Sequence, residues 1–398
     1  MQINKPSLFV EINHSEYIFT VSGYDKNEKF NIFYQKKIPI EGIEKKKITD
    51  HNLVNKVLKN NIYAIEQKLD FIFNKAILIL DNLDCNLINL VGYKRLNGSQ
   101  LVKENLSYIL SSLKSKINEH EKQKTVIHIF NSNYFLDNKR IENLPIGLFG
   151  EFYSHELSFF LIDNNDYKNI NNIFKSCNLR IKRIISKDFL RGVSLIKENL
   201  ELQTFFEIQI SKNRIHLLYF ENSTLKFIQD FEFGSHLVYN DISKVTSLKN
   251  ETLDKILSEL DFSNEKSLDE LIEKKYFIDQ NYRKIKKKLI LEIADSRIQE
   301  LAELVILKNI NVKNFIKKNI SIFLQIDNVR SFHNFKARYK IAFSNLNSNN
   351  VKFIEENSHN NFYKNAFNIV HFGWSKEALP VIQEKKSIIS RLFDLIFK

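Results

Sequence analysis

The chain has 398 residues, 43% hydrophobic and 27% charged, a globular mixture long enough for two domains or one large bilobed fold. No run approaches the ~18 apolar residues of a membrane-spanning helix, and residues 1–6 carry no secretory core, so the expectation is a cytoplasmic protein, at most peripheral to a membrane. The formal charge of +12 suits nucleic acid or anionic lipid, but Lys, Asn, Ile and Phe are abundant throughout and the aromatics follow core-like spacings, which argues against a nucleic-acid partner.

In chain order, residues 8–12, 17–22 and 30–37 read as three short strands joined by polar turns. Val54, Leu58, Ile62, Ile65 and Leu69 then fall at helical spacing, as do Val102, Leu106, Ile109, Leu110, Leu113 and Ile117. Residues 126–130 read as a strand and 167–175 as a helix, with Asp166 as the expected N-cap. A second strand meander follows at 205–210, 215–220 and 225–233, about 200 residues after the first, with Leu253, Ile256, Leu257 and Leu260 helical behind it. Two copies of meander plus helices predict a duplicated α/β architecture. The segments 263–275 and 276–288 are strongly charged; the run Arg283-Lys-Ile-Lys-Lys-Lys288 reads as a solvated helix face, and 345–350 as a polar loop.

The last eleven residues, Ile388-Ile-Ser-Arg-Leu-Phe-Asp-Leu-Ile-Phe-Lys398, separate on a helical wheel. Ile388, Ile389, Leu392, Phe393, Leu395, Ile396 and Phe397 fill one arc; Ser390, Arg391, Asp394 and Lys398 fill the other. That pattern suits a helix lying in a bilayer interface, or a terminal helix docked on its own domain. Chemistry-bearing motifs are absent: there is no GxxxxGK[ST], GxGxxG, HExxH, CxxC or GxSxG. The two cysteines, Cys85 and Cys177, have no metal-type spacing and read as small buried residues. His14-Ser15-Glu16 reads as a surface turn.

With the duplicated meander in view, the chain resembles FtsA, the actin-like bacterial cell-division family. Thr125-Val-Ile-His-Ile-Phe-Asn-Ser-Asn-Tyr-Phe-Leu-Asp137 is similar to the family's strand ending in Gln-x-Tyr-x-x-Asp. Asn143-Leu-Pro-Ile-Gly-Leu-Phe-Gly150 is similar to its Asn-Pro-x-Gly-x-x-Gly turn, 155–163 to its next strand, and 169–179 to its Asn-x-x-Lys-x-x-x-x-x-Gly-Leu segment. Phe233-Gly-Ser-His-Leu-Val-Tyr-Asn-Asp-Ile242 resembles its Gly-Gly-x-x-x-Thr-x-Asp-Ile element, and Ala294-Asp-Ser-Arg-Ile-Gln-Glu-Leu-Ala-Glu-Leu304 its Arg-x-x-Glu helix. Phe362-Tyr-Lys-Asn-Ala-Phe367 resembles the Tyr-Ala-x-x-x-Gly stretch near the last core helix, and the amphipathic C-terminus completes the order.

The resemblance implies an actin-like (duplicated ribonuclease-H-like) bilobed ATPase fold, α/β in class. The expected parts are a first core subdomain at 1–85 and 165–204, an inserted subdomain at 86–164, a second core subdomain at 205–242 and 306–374, and a small partner-binding subdomain at 243–305. A linker at 375–387 and the membrane-targeting helix at 388–398 follow. It implies ATP and Mg as cofactors, with Glu11, Glu207 and Gly234 near the ligand. The glycine pattern opposes that implication. Phosphate-binding turns need glycine so that backbone N–H groups can approach the oxygens, and a strand-end carboxylate helps hold the hydrated metal.

The first turn reads Val10-Glu-Ile-Asn-His-Ser-Glu-Tyr17 and the second Phe206-Glu-Ile-Gln-Ile-Ser-Lys-Asn-Arg-Ile215, with no glycine in either. Arg214 stands where the family usually has an acidic residue. The adenosine turn, expected near Phe323-Leu-Gln-Ile-Asp-Asn-Val-Arg330, also has none. The expectation is therefore a scaffold without enzymatic activity, its ATP binding or hydrolysis weak or lost, and no cofactor. The implied partners are the acidic C-terminal tail of FtsZ, anionic membrane lipids, other division proteins and further copies of the chain in filaments, at the inner face of the plasma membrane. For the tail, Lys284, Lys287 and Arg297 are the expected contacts. The alternatives left open are a pilus-assembly-type scaffold binding a membrane partner's cytoplasmic peptide, an actin-fold ATPase or phosphotransferase with an atypical site, and a general binding protein with a docked terminal helix.

Overall fold

Three β-prone runs separated by polar turns in the first 40 residues give β1 (Ser7–Ile12), β2 (Glu16–Tyr24) and β3 (Phe30–Pro39), followed by the small pair β4 (Ile43–Glu44) and β5 (Lys47–Ile48). This computed structural model describes residues 6–44, 46–81, 85–262, 267–316, 319–326, 335–346, 349–354 and 359–380. Helix α1 (His51–Leu69) begins where the Asp50 side chain accepts from Leu53 N–H and buries Val54, Leu58, Ile62 and Ile65. Then come β6 (Lys75–Leu80), β7 (Cys85–Arg95), α2 (Lys103–His120), β8 (Lys124–Leu136), β9 (Lys139–Ile141) and β10 (Phe152–Asp163). Helix α3 (Asn164–Ser176) is capped by Asp163, three residues before the expected Asp166, because the strand runs straight into the helix. Next are β11 (Arg180–Ser186) and α4 (Lys187–Glu198).

The second half holds β12 (Phe205–Ile210), β13 (Ile215–Glu221), β14 (Thr224–Phe231), α5 (His236–Thr246), α6 (Asn250–Glu259) and α7 (Lys287–Ala302). It continues with β15 (Ser321–Ile326), α8 (Lys336–Asn345), β16 (Asn350–Phe353), α9 (His359–Phe372) and β17 (Glu377–Pro380).

Two sheets share one plan. The first has order β11-β6-β1-β2-β3 and the second β16-β15-β12-β13-β14. In each, the opening hairpin is antiparallel and the following strands add in parallel on its first strand. That repetition is the duplicated α/β architecture expected from the two meanders, and it agrees with the actin-like fold that the resemblance implies. In the first sheet, α3 and α4 pack on β11 and α9 packs on β2 and β3. Both faces are thus covered, which is why the interior positions of β1, β2 and β6 are all buried.

The described residues form two compact units, one drawn from 1–203, 221–226 and 357–398 and the other from 204–220 and 227–356. Three segments fall differently from the expected parts. Helix α9 belongs with the first unit and not with the second core: Tyr363, Ala366, Phe367 and Ile369 are buried, and the rings of Tyr363 and Phe367 meet Phe9, Tyr24 and Phe30 at 5.4–5.9 Å. The β13–β14 tip, 221–226, joins it too, because Thr224 Oγ1 donates to Asn131 O (2.6 Å) and Asn89 Nδ2 to Lys226 O (2.9 Å). Residues 377–380, expected in a linker, form β17. The charged run 283–288 is extended until α7 starts at Lys287, so the expected helical face across it is absent.

A further sheet in the first unit has order β17-β8-β10-β7, with β9 on β8. Helix α2 lies against it, close enough that a Cβ on Gly92 would come within 2.3 Å of Ile109 Cγ2. Beneath the helix sits His155, 2% exposed, with neither ring nitrogen hydrogen-bonded among the described residues. Burial pushes its imidazole down to about 4, against a smaller opposing pull from Glu156. The unfolded chain therefore binds this proton more readily than the native one, and stability falls as pH drops from about 6.5 to about 4. The expected loss from this group is about 3 kcal/mol. His155→Leu should flatten that part of the pH profile in urea unfolding; parallel profiles for the two proteins would refute the assignment.

Candidate functional site

The C-terminal ends of three parallel strands converge in the first unit. In register, Ile12 of β1 lies beside Leu80 of β6, and Leu80 beside Ser186 of β11. The next residues are therefore neighbours, and Asp81 N–H donates to Ile12 O at 3.0 Å. This brings together Glu11, Asp81 and Lys187, at the position where open parallel sheets place their sites. The Lys187 ammonium lies 2.8 Å from Glu11 Oε1 and 3.1 Å from Asp81 Oδ2. Tyr363, brought in by α9, donates its hydroxyl to Glu11 Oε2 at 3.0 Å.

Glu11 is 3% exposed. Burial would raise the Asp81 carboxyl, but the Lys187 ammonium, with smaller contributions from His14 and Arg191, overcomes it and holds the group at about 2. Burial would lower the Lys187 ammonium, but Asp81 and Glu11 hold it well above its ordinary value. Burial and the Glu11 carboxylate keep the Tyr363 phenol protonated.

The turn that follows Glu11 is closed by its own side chain. Asn13 Oδ1 accepts from Ser15 N–H (2.9 Å), Ser15 Oγ (3.3 Å) and Glu16 N–H (2.8 Å), an Asx-type turn. The backbone donors a phosphate cradle would present outward are thus taken from within. His14 and Ser15 lie exposed in this surface turn, as expected.

The second hairpin, in the other unit, is closed differently. Ser211 O accepts from Ser235 N–H (3.0 Å) and Lys212 O from His236 N–H (2.9 Å), at the start of α5. The N-terminal donors of that helix, a ready anion site when open, here hold the hairpin's carbonyls. Gly234 permits the approach: a Cβ there would lie 2.2 Å from Ser211 O. Gly234 is thus a packing glycine against the turn. Glu207 is 1% exposed in β12, next to Leu218 and Phe323 in register. Arg214 pairs with Asp230 at 2.5 Å, and Gln209 Nε2 donates to Gln325 Oε1 at 2.8 Å. Of the expected adenosine turn, 323–326 form the end of β15 and 327–330 lie outside the described residues. The residues present do not fit a glycine-type phosphate cradle with a metal-holding carboxylate. Among the described residues no group of three or more His, Cys, Asp or Glu side chains is placed to hold a metal ion.

The three expected tail contacts fall on adjoining elements. Lys284 is exposed in the extended segment before α7. Lys287 and Arg297 lie on α7, about 15 Å apart along its axis. Lys287 pairs with Glu270 (2.8 Å), and Arg297 with Asp241 (2.5 Å) and Glu300 (2.6 Å). Ile388, Ile389, Leu392, Phe393, Leu395, Ile396 and Phe397 lie outside the described residues. No helix among the described residues is long and apolar enough to cross a membrane.

Sequence reading missed Asp81, Lys187 and Tyr363, and a second buried cluster in the first unit. There Glu377 of β17 lies 2.8 Å from His128 Nδ1 and pairs with Arg183, while His128 Nε2 accepts from Ser186 N–H at 3.2 Å. Burial pushes the His128 imidazole down, while His128 and Arg183 hold the Glu377 carboxyl below its usual range against its own burial. The one available signal was the apolar run 76–80 ending on an acidic residue.

No family model matches the chain. It is 21% identical over 276 residues to the cell division protein FtsA of Buchnera aphidicola subsp. Acyrthosiphon pisum (strain APS), covering 67% of this chain and 63% of that protein. It is 23% identical over 284 residues to FtsA of Buchnera aphidicola subsp. Baizongia pistaciae (strain Bp), covering 70% and 65%. The chain is FtsA-like. It spans just under two thirds of the length of these FtsA relatives. Among solved structures, the PilM-PilN type IV pilus biogenesis complex matches with a TM-score of 0.51 at 8% identity, over 88% of each chain, which is a likeness of fold.

Proposed function

We propose that this FtsA-like protein is a cell-division adaptor that tethers FtsZ filaments to the inner face of the plasma membrane. In this reading the actin-like body is a scaffold with little or no ATPase activity, and self-association multiplies its weak contacts. The alignment with two FtsA proteins over about two thirds of the chain carries it. The closed turns and the lysine beside Glu11 support the scaffold part.

The basic stretch before and within α7 would take the acidic FtsZ tail. Lys287 and Arg297 would exchange their present carboxylate partners for those of the tail. Charge reversal of Lys284, Lys287 and Arg297 together should weaken tail-peptide binding at least about tenfold; unchanged affinity would remove this site from the account. The seven apolar residues of 388–397 would contribute ~1.5–3 kcal/mol each if fully buried in lipid, less the ordering of the tail. Membrane binding by one copy would then be modest and reversible, and filament avidity would secure it. Phe393→Asp should release the protein from anionic vesicles.

The whole reading is tested by co-sedimenting purified FtsZ with anionic vesicles, using the full chain and a truncation ending at Lys386. FtsZ should pellet with the full chain alone. If the protein pellets without FtsZ, a second reading moves ahead: a pilus-type scaffold for a membrane partner's cytoplasmic peptide, favoured by the fold likeness to the PilM-PilN complex.

A further inference from the structure

A hydrated divalent cation in an actin-like site needs oxygen ligands from strand-end carboxylates, and Mg2+ accepts them only in a near-octahedral set. In this chain the carboxylates at the ends of β1 and β6 are engaged by the protein itself. One Glu11 oxygen faces the Lys187 ammonium at 2.8 Å and the other accepts the Tyr363 hydroxyl at 3.0 Å. Asp81 Oδ2 faces the same ammonium at 3.1 Å. The Lys187 side chain is 22% exposed and follows directly on β11, whose C-terminal end the sheet register fixes beside β6.

We propose that Lys187 is a tethered counter-cation: its ammonium occupies the position between Glu11 and Asp81 that a divalent metal would otherwise take, and so excludes the metal. A lysine is suited to this because its charge is compact and its donors are three. Tethering makes the ion permanent, so the site needs neither metal nor nucleotide to keep two carboxylates compensated. The raised ammonium and the lowered Asp81 carboxyl agree with a charge set that compensates itself. This deepens the scaffold reading but does not depend on FtsZ or lipid.

The test is Mn2+ titration of the full chain followed by electron paramagnetic resonance. Wild type should show no saturable Mn2+ site at the carboxylates into the millimolar range. Lys187→Met should gain a saturable site at least about tenfold tighter than any in wild type, and the double variant Glu11→Gln/Lys187→Met should lose it. A wild-type Mn2+ site abolished by Glu11→Gln overturns the proposal, as does a folded Lys187→Met protein that gains no site. Should Lys187→Met not fold, reductive methylation of the wild type read by mass spectrometry decides. Lys187 should react at least about tenfold more slowly than exposed Lys284, at a rate indifferent to Mg2+; faster labelling in Mg2+ means that the metal displaces the ammonium, and overturns it. Failure here leaves the tether reading standing, and loss of FtsZ co-sedimentation leaves this one standing.

Discussion

Gly234→Ala is expected to destabilise the second unit by about 3 kcal/mol, the upper range for overpacking. The added methyl would lie 2.2 Å from Ser211 O, 2.7 Å from Lys212 O and 2.8 Å from Arg214 N. All three are backbone atoms, so no rotamer change relieves the contact. Either the β12–β13 turn moves off α5 or the first turn of the helix moves off the hairpin. Each route breaks the hydrogen bonds from Ser235 and His236 N–H to the turn, and leaves donors and carbonyls without their partners. The helix also carries Val238 and Ile242, both fully buried, so displacement disturbs the core behind the sheet. Urea unfolding reads the change as a lower midpoint at unchanged slope. A shift within about 0.5 kcal/mol, as at an ordinary surface site, would contradict the closed-turn geometry.

Glu377→Ala is expected to cost about 3–5 kcal/mol, because it strands buried charge instead of deleting a surface pair. The Glu377 side chain is 4% exposed, and it compensates Arg183, itself 8% exposed, and hydrogen-bonds His128. Among the described residues Arg183 then keeps the carbonyl of Ile369, at 2.8 Å, as its hydrogen-bond acceptor. Strand β17 is short and is joined to β8 at its edge, so loss of this cluster should also release the strand. Hydrogen exchange at Asn131 N–H, which donates to Lys376 O at 2.6 Å, reports that directly. Protection there should fall in Glu377→Ala and be partly kept in Glu377→Gln, whose amide can still hydrogen-bond. Full protection in both variants would show that β17 is held by its backbone alone.

The fold was legible where periodicity was strong. The two meanders were placed within a few residues, and α1 and α2 bury faces that their spacing marks, with Val54, Leu58, Ile62 and Ile65 in one and Ile109, Leu113 and Ile117 in the other. The resemblance placed 362–367 near the last core helix, and the segment lies within α9, but the helix was assigned to the wrong unit. Its place depends on which core Tyr363 and Phe367 enter, and spacing within a helix says nothing of that. The charged run 283–288 was misread because its helical character was inferred from charge, whereas the segment is tied by a bridge between Leu271 and Lys286.

The site was half legible. The missing glycines showed that the turns were altered, and Glu11 was placed correctly at the end of a strand. What replaces a ligand there could not be read from sequence. Glu11, Asp81 and Lys187 are far apart along the chain and become neighbours only through the register of three parallel strands. The same holds for His128, Arg183 and Glu377, which belong to β8, β11 and β17. Non-local pairing of this kind leaves no local pattern.

The scaffold account rests on turns and carboxylates that the protein satisfies with its own groups. Calorimetric titration of the full chain with Mg·ATP tests this most directly. The account predicts no binding heat in the micromolar range, with Glu11→Gln and Glu207→Gln leaving the trace unchanged. A micromolar affinity that either substitution weakens would contradict it and restore a nucleotide site to this fold.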